Sequence, residues 1–185
     1  PLNVTVTPLS GDPDLYISTT TQRPYAAVAQ WNSSSARKRY EFVNIASNDP
    51  NRCLRVATCT FYIAVMANDA PSSFSVVATW ANTPATLVAG MPQAGAIESE
   101  NEPRSYVAHA ASSTADLSIT LVLAYGAAHV YVNPKTPAPT PQQSVWSSAP
   151  LTARSEGLTI PHTDPKFCGA CEYHVSVVAA SASVE

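Results

Sequence analysis

Four cysteines carry the most specific chemistry in this chain, and they fall in two close pairs, Cys53/Cys59 and Cys168/Cys171. Each pair is introduced by the phrase Asp-Pro-x-x-Cys, in "SNDPNRC" and in "HTDPKFC". Each is followed by an alternating apolar stretch, so a local disulfide would pin the entry to a strand. Loops this short give a modest entropic gain, about 2 kcal/mol each. The alternatives are free thiols, a thiol redox motif at "CGAC", or a zinc site from all four. The redox reading needs a strand-to-helix turn, whereas "EYHVSVVA" reads as a strand. The zinc reading needs both pairs to meet, against their places in the chain. Structural disulfides are therefore the expectation, and they imply a compartment outside the reducing cytosol.

Other reactive groups are sparse. His109, His129, His162 and His174 lie in no metal-binding motif. No nucleophile elbow and no phosphate loop occurs. Arg39 and Glu41, like Arg154 and Glu156, stand two residues apart on one strand face, where a cross-strand ion pair is expected over a catalytic one. The expectation is no enzyme and no cofactor. Asn3-Val-Thr and Asn32-Ser-Ser are N-glycosylation sequons, in keeping with the compartment that disulfides imply.

The elements that would position these groups come from a repeat. Aligned at an offset of 115, residues 11–53 hold 12 identities in 43 positions, among them Gly11/Gly126, Tyr16/Tyr131, Trp31/Trp146, Asp49/Asp164 and Cys53/Cys168. Chance would give about three. Beyond the first cysteine the offset becomes 112, which matches Cys59 to Cys171 and Val65 to Val177. One domain is present twice, with expected limits 1–86 and 87–185. The ends differ: copy one lacks its first strand and copy two its last. Excision from a longer array explains this, as does β-augmentation by neighbouring chains into a filament.

Strand signals have period two, as in "NVTVTPL", "DLYIS", "SFSVVATW" and "LSITLVLA", with turns such as "SGDPD" and "NTPAT" between them. No stretch sustains a helical period. The predicted fold class is all-β, two tandem jelly-roll-like β-sandwiches. Asn133–Gln143, with four prolines in eleven residues, is expected to be a stiff loop of polyproline-II character. The net charge of −3 and 12% charged residues offer no basic patch for nucleic acid. No apolar run reaches the roughly 18 residues of a membrane span. No signal peptide is visible, which fits a mature form, an excised piece or a cytosolic chain.

"PLSGDPDLYIS", a cysteine pair and "FYIAVMANDAPSSFSVVATW" resemble the bacterial pre-peptidase C-terminal domain, which has a Gly-Asp-x-Asp-Leu-Tyr phrase, a cysteine-bearing loop and an aromatic strand. "LVAGMPQAGAIESENEPRSYVAHA" is similar to the opening of that family. The resemblance covers nearly the whole chain. It implies small, non-catalytic, jelly-roll-like sandwiches of secreted or surface proteins, often accessory to proteases, some of them binding collagen or polysaccharide. Asp12 and Asp14 take the family's acidic positions and are weak calcium candidates; copy two has Ala127 and His129 there. Glu98, Glu100 and Glu102 are a second thin carboxylate group. Trp31, Trp146, Tyr16 and Tyr131 are candidate glycan contacts, with core anchoring as the other reading.

The expected function is a structural or adhesive domain pair from a longer, extracellular, repeat-containing surface or filament protein. Its partners would be neighbouring copies or domains of the same assembly. The alternative is a carbohydrate- or protein-binding accessory module of a secreted hydrolase.

Overall fold

The computed structural model describes the chain apart from residues 36–39, 54–57, 69–70, 81–82, 98–102, 111, 125, 149–154 and 181–185. Arg39, Arg154, Glu98, Glu100 and Glu102 therefore lie outside the described residues. Those described form an all-β chain of several multi-stranded sheets, in agreement with the period-two pattern. The chain divides into two compact units, Pro1–Thr83 with Gly90–Ala94, and Pro84–Ala89 with Gly95–Glu185.

The first unit contains β1 (Leu2–Ser10), β2 (Pro13–Ser18), β3 (Trp31–Ser33), β4 (Glu41–Ile45), β5 (Tyr62–Ala67) and β6 (Ser73–Trp80). They form two three-stranded antiparallel sheets, β4-β1-β6 and β3-β2-β5. Alternation places Leu2, Val4 and Val6 of β1 on one face. These pack with Leu15 and Ile17 of β2 and with Val43 and Ile45 of β4 in one buried cluster. Side chains from both sheets meet in that cluster, as in a β-sandwich. Pro13 starts β2, where a missing N–H is tolerated.

The second unit contains β7 (Ala85–Leu87), β8 (Arg104–His109), β9 (Leu117–Val122), β10 (Ala128–Asn133), β11 (Trp146–Ser147), β12 (Ser155–Ile160) and β13 (Glu172–Ala179). Its sheets are β11-β10-β13-β8-β7 and β12-β9, with β7 parallel to β8.

Pairing registers coincide at the offsets found in the sequence. Leu2 opposite Ile45 in β1–β4 becomes Leu117 opposite Ile160 in β9–β12. Ile17 opposite Trp31 becomes Val132 opposite Trp146. Ser18 opposite Tyr62 becomes Asn133 opposite His174. The loop between β2 and β3 also recurs as the loop between β10 and β11. Ser18 Oγ accepts the N–H groups of Thr20 and Thr21 (3.1 and 3.0 Å). Asn133 Oδ1 accepts those of Lys135 and Thr136 (2.8 and 3.0 Å). Ala29 and Ser144 then bond back to Tyr25 and Thr140 by the same backbone turn. The proline-rich segment thus opens as a side-chain-capped turn and closes as a backbone turn, rather than running as a continuous polyproline-II rod.

The chain leaves β1 for the other sheet through Gly11 at φ 74°, and Gly126 takes φ 75° just before β10. This is the left-handed region, costly for any residue with a Cβ. A Cβ at Gly11 would also meet the Ser72 side chain and the Pro71 carbonyl, whereas one at Gly126 meets nothing within 4 Å. Gly126→Ala is expected to cost about 1–2 kcal/mol from the dihedral alone. Gly11→Ala is expected to cost clearly more. Thermal unfolding of both variants reads the difference, and equal shifts would contradict this account of the corner.

Candidate functional site

Each Asp-Pro-x-x-Cys phrase is a turn tied to a tryptophan. The Trp31 indole N–H, at the start of β3, donates to Asp49 Oδ2 at 2.9 Å, and the Trp146 indole donates to Asp164 Oδ2 at 3.1 Å. The other carboxylate oxygen accepts a backbone N–H two residues on, from Asn51 (2.9 Å) or Lys166 (2.8 Å). The aspartate carbonyls accept from Arg52 (3.1 Å) and Phe167 (2.8 Å). This turn delivers the first cysteine of each pair. Cys53–Cys59 and Cys168–Cys171 are disulfides with Cα separations of 5.6 and 5.7 Å, within the usual span. The Trp–Asp partnership escaped the sequence reading, although the separation of 18 residues is the same in both copies.

An aromatic ring completes each clasp. In the second unit Tyr173 lies between Trp146 (5.9 Å) and Phe167 (6.0 Å), and its hydroxyl bonds both the N–H and the carbonyl of Cys168. In the first unit Phe61 takes that place, 6.0 Å from Trp31 and 6.1 Å from Trp80. Arg52, at the position of Phe167, sets its guanidinium over Trp80 at 5.3 Å and Phe61 at 6.0 Å, within cation–π range.

The candidate glycan contacts are not assembled into one platform. Trp31 and Trp146 pair with Ile17 and Val132 and share their inward face, with the indole N–H committed to aspartate. Tyr16 and Tyr131, one residue away, belong to the opposite face. Tyr16 is buried and donates its hydroxyl to Asp14 Oδ2 at 3.2 Å. Tyr131 is half-buried, 6.2 Å from the His129 ring. Of the two sequons, Asn32 is exposed on the edge strand β3. Asn3 is half-buried on the central strand β1, and its Oδ1 accepts from Asn44 Nδ2 at 2.5 Å.

Asp12, Asp14 and Glu41 form a buried acidic group. Glu41 accepts from Ser33 Oγ and from the Ser35 N–H (3.0 Å). Burial pushes its carboxyl above the ordinary range, against those two donors, and the charges of Asp14 and Asp12 push it further. The Asp12 N–H donates to Ser72 Oγ at 3.0 Å, and its carbonyl accepts from Asn68. Among the described residues no group of three or more His, Cys, Asp or Glu side chains is placed to hold a metal ion. Copy two replaces the two aspartates by Ala127 and His129 around the buried Glu156.

The least expected feature is an open flank on the first unit. Ile63 and Val65 of β5 sit opposite Ile17 and Leu15, and so share the core-facing side of their sheet. Phe74, Val76, Ala78 and Trp80 of β6 sit opposite Pro8, Val6, Val4 and Leu2, and share the core-facing side of the other. Yet Ile63 is 39%, Val76 46% and Trp80 49% exposed in the whole chain. Val175, the counterpart of Ile63 at offset 112, is 1% exposed. The difference is a strand: β13 pairs with both β10 and β8, whereas β5 pairs with β2 alone among the described residues.

No family model, no curated protein and no solved structure matches the chain. Among the described residues no helix is long and apolar enough to cross a membrane.

Two outcomes follow for the clasp and the acidic group. A double-mutant cycle on Trp31→Phe and Asp49→Asn, read by denaturant unfolding, is expected to give a coupling of about 1 kcal/mol. A coupling near zero would remove the clasp. For Glu41 the native state holds its proton more tightly than the unfolded chain does. Its contribution to stability is therefore present at acid pH and lost as pH rises from the ordinary carboxylate range through the raised native value. Glu41→Gln should abolish that descending limb in a pH series of unfolding midpoints, and an unchanged limb would show that another group causes it.

Proposed function

We propose that the chain is a pair of tandem, jelly-roll-like β-sandwich domains, similar to pre-peptidase C-terminal domains, within a longer repeat-containing protein of the cell surface or an extracellular filament. Its role is structural or adhesive, and it is not catalytic. The observation that carries this reading is the recurrence of construction. Strand registers, the capped loop, the Trp–Asp tie and the disulfide turn all return at fixed offsets. A catalytic protein needs one distinctive constellation of groups; a structural array needs the same rigid bead made again. Here the internal ties recur, while the chemically distinctive residues, Asp12 and Asp14, are replaced in the second copy.

Two disulfides closing such short loops point to an oxidising compartment. That compartment is taken to be extracellular, where the exposed Asn32 is a suitable glycan acceptor. The partners are neighbouring copies or domains of the same assembly.

Peptide mapping of protein from its native source, without reduction, tests this. Linked Cys53–Cys59 and Cys168–Cys171 peptides are expected, with sugar on Asn32 in preference to Asn3. Free thiols together with unmodified asparagines would overturn the extracellular reading.

A further inference from the structure

The open flank of the first unit sets an exposed apolar surface beside a strand edge that is unpaired among the described residues. Its floor is apolar and inward-facing: Ile63 and Val65 from β5, and Phe74, Val76 and Trp80 from β6. One wall is the outer edge of β5, whose backbone groups pair on only one side among the described residues. That edge reads Tyr-Ile-Ala-Val-Met-Ala, with no charge, no proline and no bulge in its pairing. Solvent-facing edges ordinarily carry such features to prevent strand addition. Their absence here, next to an uncovered apolar floor, marks a strand acceptor rather than a free surface.

The second unit shows what such an edge accepts. At the equivalent position β8 lies antiparallel on β13, with Tyr106 opposite Val175 and Ala108 opposite Tyr173. Tyr106 and Ala108 are buried, and they cover residues equivalent to Ile63 and Phe61. The residues along the strand correspond in type: Tyr173 for Phe61, Val175 for Ile63, and Val177 for Val65.

We propose that the β5 edge of the first unit binds an extended strand of the β8 type, carried by another copy of this repeat. The incoming strand runs antiparallel to β5. Its tyrosine sits opposite Ile63, over the apolar floor beside β6, and its next inward residue lies opposite Phe61. The partner is recognised by main-chain hydrogen bonds along the edge and by one aromatic knob followed by a small residue, as in β-augmentation generally. This deepens the reading of the chain as one link of a repeat array and rests on it.

The test uses the full chain and a synthetic peptide spanning residues 84–110. Hydrogen exchange of the β5 amides is measured with and without the peptide. Saturable binding is expected, with exchange of the alternate amides of residues 62–67 that point away from β2 slowed about tenfold or more. A Tyr106→Ala peptide should bind at least about tenfold more weakly, which corresponds to roughly 1.4 kcal/mol. A scrambled peptide should leave β5 unchanged. No protection of β5 at high peptide concentration would overturn the proposal, as would protection confined to other strands. Protection of β5 without peptide that rises with protein concentration and is unchanged in the Tyr106→Ala chain would also overturn it, in favour of edge-to-edge pairing between whole copies. The result does not depend on where the protein resides. Free thiols in the native-source map with intact peptide binding would remove the extracellular reading alone, and the converse result would remove this inference alone.

Discussion

An indole N–H held by a carboxylate sets the geometry of each unit at the end where its disulfide lies. Trp31 and Trp146 open the short strands β3 and β11, while Asp49 and Asp164 sit in the turns that deliver the cysteines. The bond therefore joins an edge strand to a loop 18 residues further on, which itself leads into β5 or β13. The same aspartate also accepts a backbone N–H, so one carboxylate orders the turn and anchors the ring. In the second unit the amide of Lys166, and then the indole of Trp146, hold Asp164 below the ordinary carboxylate range. Each tryptophan in turn presents its ring to Phe61 or Tyr173, just ahead of or within the strand that follows. The tie acts with further bonds to the same turn, from the Tyr173 hydroxyl to Cys168 in the second unit and from Thr19 and Gln30 to the Asn51 carbonyl in the first.

Around this shared clasp the copies diverge in ways that suit different neighbours. Phe167 stacks on Tyr173 in the second unit, whereas Arg52 reaches over Phe61 and Trp80 in the first. A planar cation over partly exposed rings tolerates water; a third aromatic ring favours closure. The buried acids of the first unit, Asp12, Asp14 and Glu41, have only Glu156 as a remnant in the second. The sheets are completed differently as well. The first unit has β6 on β1 but nothing beyond β5, while the second has β8 and β7 beyond β13 but nothing beyond β9 among the described residues. Among the described residues, each copy thus displays a strand that has no counterpart in the other.

Much of this was legible in the chain. Period-two alternation marked strands such as β4 and β9, whose two faces differ in burial, although β2 is buried on both faces. Identities at offsets of 115 and 112 placed β2 with β10, β3 with β11, β4 with β12 and β5 with β13. The match of β1 to β9 was less visible. Only Leu2/Leu117 and Thr5/Thr120 are identical there, since any apolar residue serves an inward site on these strands. The Trp–Asp tie was hidden because a side-chain hydrogen bond leaves no periodic trace. Exposure of the β5 and β6 inner faces was hidden for a deeper reason. "SFSVVATW" alternates as a half-buried strand should, but alternation tells which face turns inward and not whether anything lies over it. Tyr16 and Trp31 were equally candidates for a shared sugar platform until pairing set them on opposite faces of one sheet.

Native-state hydrogen exchange of the free chain, compared strand by strand, tests the central claim most directly. That claim is that one β unit is built twice, with β5 left as an open edge where β13 is an interior strand. The account predicts continuous protection along His174–Val177, where β13 is paired on both sides, and an alternating pattern along Tyr62–Ala67, with every second amide exchanging fast. Continuous protection of β5 in the dilute monomer would contradict it, because a partner for that edge would then already lie within the chain.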